Sequence, residues 1–260
     1  MTRTALALSP HLDDAAFSCG GTLATLVRDG WSVRVATLFT RSVPNPHGFA
    51  LACQLDKGLG PDVDYMALRR AEDLAAMRAL GVAEPIHVEL PEAPHRGYTS
   101  ANALFQPPLA TDTIGIDLRA AIERLMVDHA PDLIFAPQAI GGHVDHVQLV
   151  KALDGLEKPV LWWRDFPYVA RTANPAEPFA HRMHVMPEHS LRLNADAAAA
   201  KEASCLAYAT QLCFQFGGPD GLRTKLSECS SAEGFRGQGL PWSLMRDMSG
   251  IGRIAAPARS

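Results

Sequence analysis

The feature that most constrains this chain is an alternation over its first 165 residues. Short apolar runs, each about one strand long, alternate with longer runs whose apolar residues recur at helical spacing. Thr4–Ser9 (TALALS) reads as a buried strand, and Ala15–Asp29 as a helix stopped at Gly30. Trp31–Phe39 (WSVRVATLF) is alternating and β-branched, a second strand. Arg41–Pro61, rich in Gly and Pro, reads as a long loop. Tyr65–Leu80 sets Leu68, Leu74, Met77 and Leu80 among charged positions, and Gly81 closes that helix. Ile86–Leu90, Leu133–Ala136 and Val160–Trp163 read as strands three to five, with helices over Asp112–His129 and near Val144–Leu156.

A β-α repeat of this kind folds as a parallel sheet with helices on both faces. The expected class is therefore α/β: a Rossmann-like parallel sheet of order 3-2-1-4-5, with flanking helices and a C-terminal extension. In that order the build reverses between strands one and four, and the crevice at their carboxyl ends is the expected ligand site. Beyond residue 165 the pattern weakens. Asp165–Met186 is broken by Pro167, Pro175 and Pro178 and reads as loop, with a strand near His184–Met186. Ala195–Gln211 reads as one long helix capped by Asn194, Gln215–Gly239 as an irregular flap, and the last ten residues as frayed. A single domain over residues 1–260 is expected, with its core in 1–165 and the extension in 166–260.

Composition narrows the function classes. The 260 residues carry 24 basic and 28 acidic side chains, a net charge of −4, without the basic excess that a nucleic-acid surface would show. A hydrophobic fraction of 47% and a charged fraction of 20% fit a folded globular chain. Five widely spaced cysteines with no C-x-x-C pair suit a reducing compartment. The N-terminus lacks a signal-peptide pattern, and no apolar run approaches the ~20 residues of a membrane span. The expectation is a cytoplasmic protein acting on a small molecule, with neither nucleic acid nor membrane as partner. Its oligomeric state is left open, a homo-oligomer included.

Two polar clusters fall on the two strand ends that the topology selects. Strand one ends in Ser9-Pro10-His11-Leu12-Asp13-Asp14, and strand four is followed by Gly141-Gly142-His143-Val144-Asp145-His146. His11 and Asp14 are three apart at a helix entry, as are His143 and His146, so each pair can converge on one point. Two imidazoles and a carboxylate are the ligand set of a hydrolytic zinc site, with the remaining position left to water. Asp13, beside Asp14 but pointing elsewhere, is the candidate proton acceptor, and the His143–Asp145 pair suits oxyanion stabilisation. Either cluster alone reads equally well as helix capping. Both together at one crevice point to a metal site, and two imidazoles with a carboxylate suit iron(II) as well as zinc.

SPHLDDAAFSCGG together with GGHVDH resembles the PIG-L/LmbE family of metal-dependent deacetylases, whose signatures are P-H-[PL]-D-D and H-[PV]-D-H. Softer matches are Arg69-x-x-Glu72 before Ala-Leu-Gly81, Leu90-Pro91-Glu92-Ala93, Asp165-Phe166-Pro167-Tyr168, and Lys201 to Tyr208-x-Thr210-Gln211. The resemblance covers about residues 4–215. It implies zinc (or iron) ligands at His11, Asp14 and His146, Asp13 as general base and then acid, and His143 as oxyanion stabiliser tuned by Asp145. It also implies substrate contacts from Arg69 and Glu92, the latter standing where Asp is usual. Ala15 replaces a common Glu, and Leu12 and Val144 replace prolines, none of which removes a ligand.

The implied activity is removal of an acyl group, acetyl by expectation, from an N-acylated amino sugar or glycoconjugate. The alternatives are an amidase of a thiol–sugar conjugate and a non-catalytic Rossmann-like protein with a structural metal. Other tempting features weigh less. Gly20-Gly21 lacks the G-x-G-x-x-G context of a nucleotide loop and reads as close packing of the first helix on the sheet. Cys19 reads as a small core residue. Arg96 and Tyr168 follow expected strands and fit substrate contact or a solvated loop equally well.

Overall fold

The computed structural model describes residues 2–228, 232–238 and 251–252. The first five strands are β1 (Thr4–Ser9), β2 (Ser32–Thr37), β3 (Ile86–His87), β4 (Leu133–Pro137) and β5 (Val160–Trp163). They pair in parallel in the order β3-β2-β1-β4-β5, as the repeat predicts. Alternate residues of the central strands feed two separate cores, which is why these strands read as continuous apolar runs. Ala5, Ala7, Leu133 and Phe135 face one layer, and Leu6, Leu8, Ile134 and Ala136 the other. Each fully buried leucine here contributes roughly 1.5–3 kcal/mol relative to exposure.

On the first face lie α1 (Asp14–Arg28), α3 (Tyr65–Ala79), α8 (Ala195–Leu206) and α9 (Ala209–Phe216), through Phe17, Leu23, Met77, Cys205 and Leu212. On the second lie α4 (Ile114–His129) and α5 (Val144–Ala152), through Leu118, Ile122 and Val150. Gly20 turns toward Leu80, at the end of α3, and Lys201 of α8, whereas Gly21 faces Leu193, which lies outside the helices. A side chain on Gly21 would collide with Leu193, and one on Gly20 would touch Leu80.

Several expectations from local pattern are corrected. The loop Arg41–Pro61 contains α2 (Gly48–Leu55), and the buried Gln54 amide ties down the turn beyond that helix by donating to the carbonyls of Gly60 and Val63. Only two residues of Ile86–Leu90 form ladder, with an isolated bridge from Glu89 to Phe39. The expected strand at His184–Met186 is instead the end of α7 (Ala180–His184), which comes after α6 (Tyr168–Arg171). The single helix expected over Ala195–Gln211 breaks at Ala207-Tyr208 into α8 and α9.

The described residues of the expected flap form the end of α9, α10 (Pro219–Glu228) and β7 (Ala232–Gln238). With β6 (Glu188–Arg192) and β8 (Ile251–Gly252), β7 prolongs the sheet beyond β5 by antiparallel pairing, to the order 3-2-1-4-5-7-6-8. Periodicity misses this because a strand added at an edge takes its register from the strand it joins. Of the last ten residues, 253–260 lie outside the described residues.

Glu233 of β7 links the extension to the core. α1 is kinked at Cys19 (φ −138°), which frees amides beyond the kink. The buried Glu233 carboxylate accepts from Gly21 N (3.0 Å), Thr22 N (2.7 Å) and Thr22 Oγ1 (2.5 Å), and pairs with Lys201 Nζ at 2.7 Å. It thus caps a second helix start inside α1.

Candidate metal centre and active site

The turn after β1 is built by its own polar groups. Ser9 Oγ donates to the His11 carbonyl (2.7 Å) and accepts from Ala15 N (3.1 Å), while Asp14 Oδ2 accepts from His11 N (2.9 Å). Asp13 occupies the N-cap position of α1, yet its side chain makes no capping hydrogen bond. The carboxylate is left for another use. After β4, Gly141 and Gly142 both have positive φ (96° and 78°), and a Cβ on Gly141 would strike the Tyr168 ring. This turn delivers His143 as the N-cap of α5, where its Nδ1 accepts from Asp145 N at 3.2 Å.

The two turns bring His11, Asp14 and His146 to one point. Asp14 Oδ2 lies 3.1 Å from His11 Nδ1 and 3.2 Å from His146 Nε2. The far nitrogen of each ring meets a buried carboxylate: His11 Nε2 meets Asp145 Oδ2 at 3.0 Å, and His146 Nδ1 meets Asp165 Oδ1 at 2.8 Å. With those nitrogens donating, the near nitrogens turn lone pairs into the site, the arrangement that supports histidine as a metal ligand. His146 Nε2 is buried and makes no hydrogen bond. His143 belongs to the same cluster, since nitrogens of His11, His143 and His146 all lie within 4.8 Å of one another.

Electrostatics favour positive charge at this point. Burial opposes ionisation of Asp14, but His146 and His11 outweigh it and hold the carboxyl well below its usual range. Burial likewise disfavours charged imidazoles, yet Asp14 and Asp165 raise His146 to about 9, and hydrogen bonds to Asp14 and Asp145 raise His11 well above its usual value. Protons or a divalent cation can supply that charge. His143 differs: burial, then the neighbouring His11, lowers it to about 3, so it is a neutral imidazole. With Nδ1 accepting from the Asp145 amide, its proton sits on Nε2, where it can be donated to an oxyanion.

Asp13 stands at the edge of this centre. Burial, reinforced by the Asp14 carboxylate, pushes its carboxyl up to about 6. Its Oδ2 accepts from Gln215 Nε2 (2.9 Å), and Arg69 NH2 lies 3.5 Å from Oδ1. Arg69 also pairs with Glu92 Oε1 at 2.6 Å, over the Tyr65 ring. His11, Asp13, Asp14, Arg69, Glu92 and His143 line one cleft of about 280 Å³. A larger cleft of about 550 Å³ opens elsewhere, beside Lys201 and Glu233, and none of the clustered histidines lines it.

All eight residues singled out from the sequence therefore gather at one place. Asp145 orients His143 but does not hold it charged. Asp145 meets His143 through its backbone amide, while its carboxylate faces His11 and Arg96. Asp165 and Gln215 carry contacts that no role was read for. Asp165 follows β5 as the other acids follow their strands, a signal that was present; nothing local marks Gln215. Tyr168 lines the cleft beside Phe105, whose ring meets His143 edge-on at 5.4 Å.

A doubly wound sheet with this imidazole–carboxylate cluster at its switch point defines a Rossmann-like fold with a candidate hydrolytic metal centre. The model of the PIG-L family, described as GlcNAc-PI de-N-acetylase, matches residues 6–155, and the chain belongs to this family. It is 34% identical over 170 residues to a 2'-N-acetylparomamine deacetylase of Streptomyces fradiae, a match spanning 64% of this chain and 58% of that protein. Among solved structures it resembles the A40926 pseudoaglycone deacetylase (TM-score 0.72, 28% identity, 98% of this chain and 99% of that one). The zinc-inhibited form of teicoplanin deacetylase shares the fold (TM-score 0.75, 24% identity, 90% and 97% covered). No helix among the described residues is long and apolar enough to cross a membrane.

Proposed function

We propose that this chain is a zinc-dependent hydrolase that removes the acetyl group from an N-acetylated amino sugar or its glycoconjugate. The observation that carries the reading is the convergence of Asp14 Oδ2 with His11 Nδ1 and His146 Nε2 at 3.1 and 3.2 Å. Ligands bonded at about 2.0 Å in a tetrahedron stand roughly 3.3 Å apart, so this spacing suits such an ion. His143, whose Nδ1 already accepts from the Asp145 amide, is left for the oxyanion role. A bound divalent metal supplies Lewis acidity toward the amide carbonyl and acidifies water.

The remaining roles belong to the chain. Asp13, free of capping duty and held by Gln215, takes the proton of the attacking water and returns it to the leaving amine. Neutral His143 donates from Nε2 to the oxygen that gains charge. Arg69 and Glu92, joined at 2.6 Å on the cleft wall, read the sugar hydroxyls. The deacetylase relatives support the acetyl group and the amino sugar.

The test is elemental analysis of the purified protein beside His146→Ala, followed by acetate release from N-acetyl amino sugars. About one zinc per chain, lost together with acetate release in the variant, is the expected result. No metal in the wild type after incubation with zinc would overturn the reading.

A further inference from the structure

Behind His11 lies a charge network that ends on Arg96, in the segment between β3 and α4. The Arg96 side chain is 8% exposed, and NH2 donates to Asp145 Oδ1 at 2.6 Å. Nε and NH2 reach the two oxygens of Asp112, each at 3.1 Å, and NH1 donates to the Pro91 carbonyl at 2.7 Å. Asp112 also receives the Tyr98 hydroxyl at 2.9 Å. Asp145, fully buried, holds His11 Nε2 on its other oxygen at 3.0 Å, where the Ala93 amide also donates at 3.2 Å.

We infer that Arg96 is a positioning residue for the metal centre: through Asp145 it fixes the ring of His11 and so the zinc affinity of the site. The inference rests on the ligand set proposed above. Donors from three places, Arg96, Ala93 and His11, triangulate the Asp145 carboxylate, and Arg96 is the one that brings a permanent charge. Its planar fork meets Asp112 through two nitrogens while reaching Asp145, a geometry that the single nitrogen of a lysine does not reproduce. If Asp145 swings, the constraint on the tautomer and orientation of His11 goes with it. Outer contacts of this kind are typically worth 10- to 100-fold in metal affinity.

The experiment compares zinc dissociation constants, by chelator competition, for the wild type, Arg96→Gln, Arg96→Lys and Tyr98→Phe. Tyr98→Phe removes one donor to Asp112, which keeps the Ile114 and Gln148 amides, and leaves every donor to Asp145 in place. It is expected to lower the thermal midpoint and to keep zinc affinity within about twofold of wild type. Arg96→Gln is expected to bind zinc about 10- to 100-fold more weakly, and Arg96→Lys to recover part of that loss. Wild-type affinity in Arg96→Gln, or equal weakening in Tyr98→Phe, would overturn the inference while leaving the metal centre intact. Should Arg96→Gln not fold, wild-type affinity in Arg96→Lys would overturn it. A wild-type protein that takes up no zinc would remove the metal centre itself, and this inference with it.

Discussion

His146 Nδ1 lies 2.8 Å from Asp165 Oδ1, and the second oxygen of that carboxylate accepts the Ile140 amide at 2.9 Å. Asp165 therefore serves two donors at once, one on the turn after β4 and one on a proposed ligand. Asparagine offers a single acceptor oxygen, so one donor must face an NH2 group. Asp165→Asn should bind zinc about 10- to 100-fold more weakly. Chelator competition checks this, and an unchanged constant would refute the orienting role.

Asp13 is beside the proposed ligands without belonging to them. Asp13→Asn should retain metal and lose about 10²–10⁴ in turnover, the range of general acid–base catalysis. Paired metal and acetate-release assays decide it. Near-normal turnover would mean that another group moves the proton.

Gln215 reaches Asp13 from α9, 202 residues away in sequence. A hydrogen bond to a charged group contributes about 1.5–3 kcal/mol, so Gln215→Ala should lower kcat roughly 10- to 100-fold. Metal content and KM should stay near wild type. A rise in KM with kcat unchanged would make Gln215 a substrate contact instead.

Glu233 joins the extension to α1 and Lys201. Its removal leaves a buried ammonium and two helix amides without their acceptor, so Glu233→Ala should destabilise by about 3–5 kcal/mol in urea unfolding. Burial alone would lower the Lys201 pKa, but Glu233 outweighs it and the value is raised. The pair's contribution is therefore complete below lysine's ordinary range and is lost as pH rises through the raised value. A wild-type and variant difference that is constant from neutral to strongly alkaline pH would contradict this.

By itself the sequence determined the parallel half of the fold and the address of the site. β1 and β5 were legible to the residue, because a strand buried on both faces is a bounded apolar run. Strand order then placed His11–Asp14 and His143–His146 at one crevice before any contact was known. The tertiary structure decided which groups meet. His143 is two residues from Asp145, yet the carboxylate pairs with His11, 134 residues away. Gln215 reaches Asp13, and β7 joins the edge of β5. Local pattern reports how much of a segment is buried and at what period. It says nothing of which distant donor a carboxylate finds, because that choice depends on how elements far apart in the chain pack together.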